Sequence, residues 1–69
     1  MNTFAKKLKM RLRRLREANG WTQAELAKQA HVTQALISQL EAGKKASPSV
    51  VPLMRIAKAL KVNVGELVK

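Results

Sequence analysis

Cysteine, tyrosine and aspartate are absent from this chain, tryptophan and phenylalanine occur once each, and four glutamates are the only acidic residues. Without cysteine there is no disulfide framework and no thiolate metal site. Two aromatic rings, Phe4 and Trp21, leave little with which to stack single-stranded bases. The glutamates are isolated from one another, and the only histidine, His31, has no acidic cluster beside it. Paired carboxylates and an activated nucleophile are therefore missing, so neither an enzyme nor a metal or cofactor site is expected. No apolar run approaches the length of a membrane span. The N-terminus is basic and then amphipathic, without the apolar stretch and cleavage site of a secretory signal. Met1 reads as a start, and a soluble cytoplasmic protein is expected.

What the chain has in excess is positive charge. Fourteen Lys and Arg give a net charge of +10 on 69 residues, which favours an anionic partner such as nucleic acid. That length supports a single domain over residues 1–69, and 46% hydrophobic content is enough for a small helical core.

Helical signals run along the whole chain. Phe4, Leu8, Leu12 and Leu15 mark one face of a first helix that ends near Ala18, with Asn19-Gly20 as a left-handed stop. Lys6, Lys7, Lys9, Arg11, Arg13, Arg14 and Arg16 surround that stripe, as a solvated basic face or as a face for phosphates or a membrane surface. Thr22 and Glu25 have the spacing of a capping box, and Trp21 before the cap is placed to pack on Leu26. A turn is expected at Ala30-His31-Val32, after which Thr33 caps a helix reaching about Ala42, with Gly43 ending it. After the basic loop Lys44-Lys45-Ala46-Ser47-Pro48, Ser49 is placed to cap a fourth helix with Pro52 in its first turn and Leu53, Ile56, Ala57 and Leu60 inward. Asn63 and Glu66 form another box, with Val62 and Leu67 as its staple, opening a short fifth helix. The expectation is an all-α fold of five helices.

Residues 22–42 thus have the layout of a helix-turn-helix. On its second helix Ile37 and Leu40 fall on one side, while Gln34, Ala35, Ser38 and Gln39 fall on the opposite arc. Amides, a hydroxyl and a methyl without any charge suit base edges better than they suit an ordinary solvated face, which carries Lys and Glu.

Taken together, the runs LRxLREANGWTQAELA, VTQALISQLEAGK and PSVVPLMRIAKALKVNVGEL resemble the phage repressor and Cro family of helix-turn-helix domains, also called the xenobiotic-response-element type, over roughly residues 8–68. The resemblance implies a compact five-helix domain whose third helix lies in the major groove of double-stranded DNA. It implies that Gln34, Ala35 and Gln39 read bases, with Ser38 on the same arc, and that Gln23 clamps a phosphate and braces Gln34. Thr22, Thr33, Lys44 and Lys45 are further phosphate candidates, because helix N-termini present free N–H groups and lysines supply charge. Leu36 lies at the edge of the arc, as a packing residue or against a thymine methyl. Arg16 and Glu41 match positions that form a partly buried ion pair in the family, with Arg16 also near a phosphate. His31 stands where glycine is usual, at a turn that needs positive φ.

The function implied is a sequence-specific transcriptional regulator, a repressor by preference, binding a palindromic operator as a homodimer. Free-standing repressor, restriction-modification controller and self-repressing antitoxin all fit this description. The alternatives are an adaptor of the same fold that binds a toxin or another protein, and a nonspecific basic protein for RNA or a membrane surface. No apolar patch in the sequence identifies the dimer surface.

Overall fold

The computed structural model describes residues 3–44 and 49–68, and among them the chain forms five helices and no strand. They are α1 (Thr3–Ala18), α2 (Gln23–Ala30), α3 (Gln34–Glu41), α4 (Val50–Ala59) and α5 (Val64–Val68). The first helix lies between two others, packing on α3 along one flank and on α5 along the other, while α2 packs on both α3 and α4.

Apolar residues at helical spacing supply the core. Leu8, Leu12, Leu26, Ile37, Leu40, Ile56 and Leu67 are fully buried, one or two from each helix. Ala5, Ala27, Ala30, Leu53, Ala57 and Leu60 complete the interior, and Phe4, Leu15, Trp21, Val32, Leu36 and Val62 pack against it. Trp21 and Leu26 therefore join one apolar cluster across the start of α2, as do Val62 and Leu67 across the start of α5.

Four helix ends share one closure. A left-handed residue follows each helix, at Gly20, His31, Gly43 and Lys61, with φ of 71°, 57°, 72° and 60°. The next residue then donates back five positions, Trp21 to Arg16, Val32 to Ala27, Lys44 to Gln39 and Val62 to Ala57. This pattern satisfies carbonyls that the last helical turn leaves without partners. Glycine adopts the conformation freely, whereas His31 and Lys61 hold it against a Cβ clash.

The helix starts differ from expectation at two places. Thr22 forms the full box, its Oγ1 accepting from Glu25 N at 3.1 Å and its own N donating to Glu25 Oε1 at 3.0 Å. Thr33 Oγ1 likewise accepts from Leu36 N at 3.1 Å. Ser49 occupies the cap position of α4 with extended backbone but makes no side-chain capping bond. The reason lies three residues on, since Pro52 has no N–H to offer that hydroxyl. At α5, Asn63 Oδ1 accepts from Glu66 N at 3.0 Å, but the return bond runs from the Asn63 side-chain amide to Glu66 Oε1 at 3.4 Å, not from its backbone.

Candidate nucleic-acid interface

The surface of α3 is divided by the core. Ile37 and Leu40 are buried and Leu36 is half-buried, so Gln34, Ala35, Ser38 and Gln39 are left exposed on one arc. No charge interrupts that arc. Gln34 makes no side-chain hydrogen bond among the described residues, so its amide is available in full to a ligand.

A buried carboxylate fixes this helix to its neighbours. Glu41, the last residue of α3, is 7% exposed. Its Oε2 accepts from Arg16 Nε at 2.7 Å, and its Oε1 accepts from Arg16 Nη2 at 2.9 Å and from Gln23 Nε2 at 3.2 Å. Arg16 Nη1 donates to the Trp21 carbonyl at 2.7 Å. One cluster therefore joins α1, the loop before α2, the first residue of α2 and the end of α3. The hydrogen bond to Glu41 raises the pKa of Arg16 above its ordinary value, so the guanidinium stays charged. Arg16 keeps two of its five N–H groups for other partners. Gln23, which the resemblance places at a phosphate and beside Gln34, gives one of its two amide hydrogens to Glu41.

Three of the remaining phosphate candidates are among the described residues. Thr22 and Thr33 stand at the starts of α2 and α3, exposed, with hydroxyls that already serve as caps. Backbone N–H groups in those first turns carry the positive ends of two helix dipoles. Lys44 is exposed just beyond α3, whereas Lys45 lies outside the described residues.

All four glutamates have an internal partner. Glu17 takes Arg13 Nε at 3.3 Å, Glu25 caps α2, Glu41 holds Arg16 and Gln23, and Glu66 faces Asn63. The pull of the Thr22 backbone N–H holds the Glu25 carboxyl below the usual range. Two ion pairs, Arg13 with Glu17 and Arg16 with Glu41, are the only ones among the described residues. Most of the basic residues are thus left to solvent or to an anionic partner.

Three features had no forecast from sequence. Lys61 takes positive φ at the α4–α5 turn, in a segment whose Lys61-Val62-Asn63 mirrors His31-Val32-Thr33. Arg55 Nη1 donates to the His31 carbonyl at 3.4 Å, linking α4 to the turn before α3. Met10, Val50, Val51 and Met54 are exposed large apolar residues, and three of them lie together in the first half of α4. Among the described residues no helix is long and apolar enough to cross a membrane, and no group of acidic, cysteine or histidine side chains is placed to hold a metal ion.

This arrangement has well-defined counterparts. The helix-turn-helix family model matches residues 12–67. The restriction-modification controller protein C.AhdI from Aeromonas hydrophila is similar at 33% identity over 88% of this chain and 91% of its own, with a TM-score of 0.81. The clp gene regulator ClgR from Corynebacterium glutamicum is similar at 31% identity over 93% of this chain and 67% of its own, with a TM-score of 0.82. Comparison with curated protein sequences finds no match. These counterparts are regulators and not enzymes. By its five-helix fold, its turn between α2 and α3 and these likenesses, the chain belongs to the Cro/C1-type, or xenobiotic-response-element-type, helix-turn-helix family of DNA-binding transcriptional regulators.

Proposed function

We propose that this chain is a sequence-specific regulator, a repressor by preference, that lays α3 in the major groove and binds a palindromic site as a homodimer. The observation that carries the reading is the uncharged exposed arc of Gln34, Ala35, Ser38 and Gln39 on a chain of net charge +10. A glutamine amide donates to adenine N7 and accepts from adenine N6, while the Ala35 methyl suits a thymine methyl. Thr22, Gln23, Thr33, Lys44, Lys45 and Arg16 supply phosphate contacts that set register without reading sequence. A single short helix reads few base pairs, which is why two copies on a dyad are needed. The exposed Val50, Val51 and Met54 are apolar surface suited to that pairing. A cytoplasmic location follows from this role. The likeness to a restriction-modification controller makes control of such a system the first biological setting to examine.

Selection of bound duplexes from a random pool tests the reading directly. Enrichment of a dyad-symmetric site is expected, with affinity falling steeply as salt rises because counterions are released from neutralised phosphates. A pool without any enriched sequence would reduce the chain to a nonspecific basic protein, and salt-insensitive binding would remove the phosphate contacts.

A further inference from the structure

The first helix is built against its own electrostatics. It has seven Lys and Arg and one Glu, with no acidic residue in its first turn to complement the dipole. Lys7 and Arg11, and Lys9 and Arg13, are like charges one turn apart, a spacing that destabilises a helix. Only Arg13 and Arg16 meet a carboxylate among the described residues, so Lys6, Lys7, Lys9, Arg11 and Arg14 have no acidic partner there within an ion-pair distance. A polyanion would relieve that repulsion.

Helical geometry sorts these cations into two edges. Arg16 points to α3, where it holds Glu41. Lys7, Arg11 and Arg14 lie about 140° to 180° around the helix axis from Arg16. Arg11 and Arg14 accordingly line an open groove of about 570 Å³ between α1 and α5, with Leu15, Asn63, Gly65 and Glu66. Arg16 thus marks the side of α1 that meets α3, and Arg11 and Arg14 the side that meets α5.

We propose that Lys7, Arg11 and Arg14 form a second phosphate-binding surface that holds another DNA segment while α3 occupies the first. The inference rests on the reading that α3 faces DNA. Charge complementarity selects the occupant, since a duplex presents closely spaced phosphates to a row of cations along one helix edge. The protein would then bridge two segments of DNA, with sequence read on one side only.

The test uses a short mixed-sequence duplex tethered to beads, the full chain bound to it, and a second, fluorescent duplex of unrelated sequence. Protein on the beads and captured fluorescence are measured separately, so failure to bind the first duplex is distinguished from failure to hold the second. Wild type is expected to capture the second duplex. The Lys7→Gln/Arg11→Gln/Arg14→Gln variant is expected to remain on the beads while capture falls by about tenfold. A Lys7→Gln/Arg14→Gln variant, which spares the half-buried Arg11, should show the same split if the triple variant melts early. Equal capture by wild type and variants would overturn the proposal and assign bridging to two α3 faces of a dimer. No capture by wild type would also overturn it, and would leave this edge to solvent or to an acidic protein.

Discussion

Arg16 and Glu41 meet across 25 residues of chain with two guanidinium nitrogens on two carboxylate oxygens, at 2.7 and 2.9 Å. Side-chain exposures of 12% and 5% place the pair largely out of water. Loss of either partner strands a charge whose desolvation is no longer offset. Arg16→Met or Glu41→Leu alone should cost roughly 3 kcal/mol, and the two together less than the sum. A double-mutant cycle by denaturant unfolding measures this, and additive effects would show that the contact does not couple α1 to α3.

The α3 arc and the lysine beyond it should fail in different ways. Gln34→Ala should cost about 1–3 kcal/mol on the preferred site and relax discrimination at one base pair per half-site. Lys44→Ala should weaken all duplexes alike. Titration of both variants on specific and scrambled duplexes separates the roles, and an equal loss for Gln34→Ala on each would take base reading away from it.

Two left-handed residues bear a Cβ where glycine is favoured. His31→Gly and Lys61→Gly should each leave stability unchanged or raise it by up to about 1 kcal/mol, as relief of the clash opposes the added freedom of the unfolded chain. Thermal melts settle the sign. A clear drop for His31→Gly would assign its imidazole a packing role that its exposed position does not show.

Acid should loosen the start of α2. The folded-state pKa of Glu25 is depressed by the Thr22 backbone N–H. Its contribution is therefore present above the ordinary glutamate range and lost as pH falls through the lower, folded value. Relative to wild type, Glu25→Gln should flatten the loss of stability on acidification, as measured by melts across that range. An unchanged acid limb would mean that other carboxylates dominate it.

Charge placed in the α4 patch should separate pairing from folding. Met54 is 55% exposed, so Met54→Lys should leave the melt nearly unchanged and weaken self-association by about tenfold or more. Sedimentation with and without DNA reads both, and an unaltered dimer would place the interface elsewhere.

Helix ends were legible from sequence because they depend on neighbours only a few residues apart. Thr22 with Glu25, Gly20, Gly43 and the turn at His31 all follow from short-range hydrogen bonding and backbone sterics. Ser49 shows where such reading fails, since the hydroxyl and the proline were each recognised but not the donor that Pro52 removes from the cap. Lys61 escaped notice because lysine carries no signature of positive φ, although its Val-Asn sequel parallels the Val-Thr after His31. The partnership of Arg16 with Glu41 has no local signal at all and came from family likeness. The bond from Gln23 to Glu41 likewise has no local signal, because helix spacing does not reveal which carboxylate folds against the start of α2. The exposed valines of α4 were invisible for the opposite reason, since an apolar residue in a helix reads as core until the neighbouring elements are placed.

Leu67 is fully buried in the same core as Leu8 and Leu12, and α5 closes over α1. A chain made from its N-terminus therefore completes the residues of α3 well before the leucine that seals the interior beneath α1. Until residue 67 emerges, α1 with its seven basic side chains has α3 against it but lacks the cover that α5 supplies. A chain at that stage would combine incompletely buried leucine with dense positive charge, a pairing that favours nonspecific association with polyanions.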